Sequence, residues 1–178
     1  MTERPQAASA VTMARRRSLL VVGAALILGA CGFKLRQAPD FAFRTIYINA
    51  GSTLPLAAEL RRAIESAGKV TVLTAPGDMA RADVVLELLS NPQDRVVVAQ
   101  SSAGQVQEFT LRMSVKFNLH TPAGRELIPE TELMQQRDVS FNESLALAKM
   151  SEESLLLRSM QSELVQLMMI RLAAVREI

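Results

Sequence analysis

Cys31 is the only cysteine of the 178-residue chain, so no intrachain disulfide or cysteine-based zinc cluster can form. Its surroundings point to a different chemistry. Leu28-Gly29-Ala30 stand directly before it, and the apolar run from Leu19 to Leu28 follows Arg15-Arg16-Arg17. A basic start, a short apolar stretch and small residues at a cut site make a secretory signal. The uncharged segment is too short for the roughly 20 apolar residues of a bilayer span. A cysteine set just after Leu-Gly-Ala resembles a bacterial lipobox, in which a lipid is attached to the thiol and cleavage makes that cysteine the new N-terminus. Each buried methylene contributes about 0.8 kcal/mol and one acyl chain holds only marginally. A lipoprotein cysteine carries more than one chain, palmitate among them, so a stable anchor is expected. By resemblance to lipoprotein sorting rules, Gly32 after the cysteine favours the outer membrane. Arg15-Arg16 alone does not select a twin-arginine export route, because basic n-regions are common.

The other chemistry-bearing residues make no recognisable catalytic set. His120 is the single histidine and falls on the polar side of a strand end, where an exposed surface residue is expected. No glycine-flanked serine elbow, phosphate loop or metal-spaced cluster appears. Glu130 and Glu132 share one strand face, which reads as solubility at an exposed edge. We therefore expect no enzyme, no metal and no cofactor other than the covalent lipid on Cys31.

Charge excludes another class. The whole chain has 20 basic and 18 acidic side chains, but Arg4, Arg15, Arg16, Arg17 and Glu3 lie in the leader, leaving 16 and 17 from Cys31 onward. A general nucleic-acid binder needs a positive surplus, and the segment after the cut has none. Any anion contact must come from a local cluster.

These groups are positioned by a simple series of elements. Residues 1–30 read as signal peptide, 31–44 as a lipid-anchored extended arm, and 45–178 as one domain of usual size. Thr45–Asn49 is short, β-branched and aromatic, and reads as a strand. Leu56, Leu60, Ala63, Ile64 and Ala67 follow at helical spacing, with Thr53 as expected cap, Pro55 in the first turn and Gly68 past the end. Residues 70–73 form a short extended piece. A second strand runs from Ala82 towards Ala99, with a break near Pro92. Strand, helix, strand in that order favours a parallel pair.

Phe109, Leu111, Met113, Val115, Phe117 and Leu119 then alternate with polar residues up to His120, the pattern of a strand with one buried and one wet face. Ser101-Ser102-Ala103-Gly104 suits a hairpin loop before this strand. Thr121-Pro122-Ala123-Gly124 turns the chain again, and 127–141 returns antiparallel. Pro129 cannot donate to a ladder and places that strand at an edge. From Ala148 to Val175 the period is helical, with Ser151 as expected cap. The sum is an α+β fold, βαβββα: a mostly antiparallel four-stranded sheet, two helices on its apolar face, and a bare polar face opposite.

The order of these pieces resembles the lipopolysaccharide-assembly lipoprotein family LptE. Cys31-Gly32-Phe33-Lys34-Leu35-Arg36 matches its opening, though Gln37 stands where a glycine often follows. Ile46-Tyr47-Ile48, Ala82 to Leu86, Glu108 to Leu111, and Met160, Leu164, Arg171 and Leu172 in the last helix continue the match. The resemblance implies a partner rather than a reaction. It predicts an outer-membrane lipoprotein on the periplasmic side, inside the lumen of the β-barrel LptD, forming a heterodimer as plug and stabiliser. It also predicts contact with lipopolysaccharide. Arg112 and Lys116 lie on one face of the alternating strand, with Arg137 on the return strand and Arg95 beside the preceding loop. These four are the candidate contacts to the glycolipid phosphates. The other reading is a lipid-tethered adaptor or pilotin for another outer-membrane assembly, without glycolipid contact.

Overall fold

The computed structural model describes residues 39–50, 55–141 and 146–178. The signal peptide, the lipobox, most of the arm and the expected Thr53 cap lie outside the described residues. In chain order the elements are β1 (Thr45–Asn49), α1 (Pro55–Ser66), β2 (Thr71–Leu73), a 3-10 turn (Pro76–Arg81), β3 (Val84–Ser90), β4 (Gln93–Gln100), β5 (Val106–His120), β6 (Glu126–Ser140) and α2 (Ala146–Ala173). All the described residues belong to one compact unit.

The sheet is mixed and has six strands rather than the four expected. β1 runs parallel to β2 on one side and to β3 on the other. β5 is antiparallel to β3, β4 and β6. One added strand is β2, whose three residues pair with Thr45, Ile46 and Tyr47. It lies in the short extended piece read at 70–73, and three residues carry too little periodicity to place it in the sheet. The other comes from splitting 82–99 at Asn91-Pro92, where proline has no N–H to give. Both halves stay on the same edge of β5, Ser90 opposite Lys116 and Gln93 opposite Met113. The Ser114 N–H spans the gap, donating to the Pro92 carbonyl at 3.1 Å.

β6 pairs only with β5, so Pro129 does sit in an edge strand. The two hairpins around β5 share one loop geometry. Ser101 N–H donates to Gln105 O and Gly104 N–H to Ser101 O; Thr121 N–H donates to Arg125 O and Gly124 N–H to Thr121 O. Gly104 and Gly124 have φ of 79° and 89°, a left-handed conformation that glycine adopts without Cβ strain.

The core is the inner face of the sheet closed by both helices. Phe109, Leu111, Met113, Val115, Phe117 and Leu119 of β5 are buried against Leu56, Leu60 and Ile64 of α1 and Met160, Leu164, Met168 and Leu172 of α2. Within the segment read as an arm, Phe43 is buried and Phe41 packs beside it with ring centroids 5.2 Å apart. α2 begins at Ala146, so Ser151 is no cap: it lies in the second turn and its hydroxyl donates back to Leu147 O at 3.3 Å. Buried residues of α2 begin only at Met160, and Leu147, Met150 and Leu155 before it are exposed. No helix among the described residues is long and apolar enough to cross a membrane. The outer face is less bare than its polarity implies, because Val85, Thr110 and Ser114 are buried on it. The Thr110 hydroxyl there donates to Asp138 at 2.6 Å.

Asp83 clips the starts of β1 and β3 together. Its carboxylate accepts the N–H groups of Arg44 and Thr45 at 2.8 and 2.9 Å, while its own N–H donates to Thr45 Oγ1 at 2.8 Å. The Arg44 N–H bond, foremost among these contacts, holds the Asp83 carboxyl below the usual carboxylate range.

Candidate functional site

Paired residues in an antiparallel ladder share a face, so the register decides what each basic residue meets. Arg112 is paired with Asp94 on one side and Gln136 on the other, and Lys116 with Glu132. These two lie on the outer, helix-free face, in one row with the buried Thr110 and Ser114. Arg95 and Arg137 are both paired with Leu111, an inner residue. They therefore face α2. The four candidates form two pairs on opposite sides of the sheet.

The inner pair is occupied. Arg95 donates to Glu153 of α2 and lies 4.5 Å over the ring of Phe109. The bond to Glu153 raises the Arg95 pKa still further. Arg137 Nη2 donates to both carboxylate oxygens of Glu163 at 2.8 and 2.6 Å, and Nη1 donates to the Gln136 carbonyl at 2.8 Å. Arg95 fastens the half of α2 that contributes little to the core, and Arg137 holds the start of the half that builds it. Helical spacing hides this use: Glu153 is 58 residues from Arg95 and Glu163 is 26 from Arg137.

The outer pair is looser. Lys116 Nζ stands 3.9 Å from Glu132 with both side chains nearly half exposed, a geometry that contributes little. Arg112 is exposed and has no ion-pair partner among the described residues. Asp94, Glu132 and Asp138 outnumber the two cations on this face, and Met134 is its most exposed apolar side chain. The face can hold an anion at Arg112 without first breaking a strong pair.

His120 is half-buried rather than freely exposed. Its Nδ1 lies 2.8 Å from the Thr121 carbonyl and its Nε2 3.6 Å from Glu87, which also accepts from Asn118 at 3.4 Å. Among the described residues, no three of His, Cys, Asp or Glu converge to hold a metal. Glu132 shares the outer face with Lys116, and Glu130 lines a small cavity beside His120.

The comparisons with known proteins bear on this domain directly. The family profile described as LptE, lipopolysaccharide-assembly, matches residues 43–172. The chain is similar to the solution structure of lipoprotein B from Nitrosomonas europaea, at 27% identity and TM-score 0.69, covering 80% of this chain and 91% of that one. The rare lipoprotein B of Shewanella oneidensis is similar at 22% identity and TM-score 0.57, over 69% and 89% of the two chains. A minor lipoprotein of Acinetobacter baumannii follows at 17% identity and TM-score 0.60, over 77% and 96%. No curated protein matches the chain.

Proposed function

Since the chain belongs to the LptE lipopolysaccharide-assembly family, we propose that it is the lipid-tethered partner of the LptD barrel. Its role in lipopolysaccharide assembly follows from the family, and the three solved structures named above are of lipoproteins. In this reading Cys31 is acylated, the anchor sits in the periplasmic leaflet of the outer membrane, and the domain occupies the barrel lumen as plug and stabiliser. It needs no cofactor and catalyses no reaction. Barrel lumens are polar, and a sheet with one helix-free polar face suits such surroundings.

The observation that carries the glycolipid part is Arg112, an exposed guanidinium without an acid partner among the described residues, in the same row as the loosely held Lys116. Together they offer charge-assisted donors to lipopolysaccharide phosphates. Arg95 and Arg137, held by Glu153 and Glu163, support the helix instead. The acidic excess of the outer face favours an adaptor without glycolipid contact.

Two experiments test this. Pull-down from detergent-solubilised outer membrane should recover one large barrel protein in equal amount; recovery of a different assembly supports the adaptor. Reversing Arg112 and Lys116 to Glu should weaken lipopolysaccharide binding by the purified protein at least tenfold at low salt, and unchanged affinity removes the glycolipid role.

A further inference from the structure

A surface concavity of about 640 Å³ opens where β1 and β3 begin and the β5–β6 hairpin turns, and both Arg44 and Arg125 line it. Neither guanidinium forms an ion pair among the described residues. Two acidic groups stand beside them: Asp83, whose Oδ2 is turned onto the N–H groups of Arg44 and Thr45, and the main-chain carboxylate of Ile178, which lines the same concavity. Both arginines stand on fixed backbone. The Arg44 N–H is held by Asp83 at 2.8 Å. The Arg125 N–H donates to Thr121 Oγ1 at 3.1 Å, and its carbonyl accepts the Thr121 N–H at 2.8 Å. Two arginines rooted on pinned backbone line one concavity, and guanidinium forks are donors suited to phosphate oxygens.

The chain leads from this end of the domain towards Cys31. Ala42 lines the same cleft, and it stands 11 residues after Cys31. At about 3.3–3.6 Å per extended residue, that linker reaches roughly 40 Å at most. If Cys31 is acylated, the cleft stays within that distance of the surface of the leaflet holding the anchor. Basic residues near an anionic leaflet are attracted to it over about one Debye length. We propose that Arg44 and Arg125 form a phosphate-binding cleft that takes anionic headgroups of the leaflet holding the anchor, a second hold that sets the domain's orientation. This rests on the acylation of Cys31 in the reading above and is separate from the glycolipid face at Arg112.

The test uses the full acylated protein in dodecyl maltoside micelles, followed by NMR of arginine Nε–H and backbone amide signals. Dihexanoyl phosphatidylglycerol should shift Arg44, Arg125, Thr121 and Ala123. The affinity should fall at least tenfold in the Arg44→Gln/Arg125→Gln variant and hold in Arg158→Gln, an exposed arginine of α2. Both substituted residues are exposed, so the fold should persist. Three results overturn the proposal: equal binding of dihexanoyl phosphatidylcholine, equal binding of inorganic phosphate, or shifts that survive in the double variant. Inorganic phosphate binding as well as the lipid means a free-anion site. The intact mass reads acylation independently, so an unmodified Cys31 defeats the tether while the titration still reads the cleft.

Discussion

Replacing Arg137 by Ala removes a guanidinium that donates to both oxygens of Glu163 and to the Gln136 carbonyl. If that contact fastens α2, the loss must appear as stability coupled to Glu163. The two side chains are 38% and 40% exposed, so water screens the pair and the low-dielectric Coulomb figure does not apply. Exposed pairs are worth about 0.2–1 kcal/mol. Two short bonds to one carboxylate and a third contact that fixes the fork place this pair near the upper end, at about 1 kcal/mol. For a domain of this size that is a fall in Tm of about 4 °C. The assay is urea unfolding of wild type, Arg137→Ala, Glu163→Ala and the double variant, read as a double-mutant cycle. The coupling should be about 1 kcal/mol and shrink in high salt. Arg112→Ala, with no such partner, should stay within about 0.5 kcal/mol of wild type. A coupling below about 0.3 kcal/mol, or equal losses for Arg137→Ala and Arg112→Ala, would refute the clamp.

Asp83→Ala leaves the N–H groups of Arg44 and Thr45 without their acceptor and should cost about 1–3 kcal/mol at pH 7 in the same assay. Because the folded-state pKa of Asp83 is lowered, its contribution is full above the unfolded carboxylate value near 3.9 and is lost as pH falls through the lower folded value. The gap between wild type and Asp83→Ala should therefore narrow below about pH 4, and a gap that widens there contradicts the assignment. Leu164→Ala opens a cavity at a fully buried site of α2 and should cost about 2–5 kcal/mol, whereas Leu155→Ala, 61% exposed, should change the urea midpoint little. Gly124→Ala meets open space but a φ of 89°, so thermal unfolding should show a loss of about 1–2 kcal/mol from strain alone.

Much of the architecture is local and therefore readable along the chain. The alternation from Phe109 to His120 announces one long half-buried strand, and Pro129 announces an edge. Leu56, Leu60 and Ile64 fall at i, i+4 and i+8 and become the buried stripe of α1. Even the break at Pro92 is visible, since a missing N–H leaves the same mark in any sheet. β2 is legible only as the short extended piece at 70–73; that it becomes a sheet strand is decided by its lying beside β1.

The candidate site divides in the same way. That β5 carries Arg112 and Lys116 on its polar face is written in a period of two. Which face Arg137 takes is not, because it depends on how many residues the β5–β6 hairpin and its irregularities insert. The register shifts twice between Phe117 and His120, and a slip of one residue would move Arg137 into the row of Arg112. Arg95 and Arg137 become helix clamps only because α2 brings Glu153 and Glu163 across the sheet from far along the chain. Side-chain periodicity is set by neighbouring dihedrals and belongs to the sequence. The choice of partner is set by where distant elements pack, and only the tertiary structure decides it.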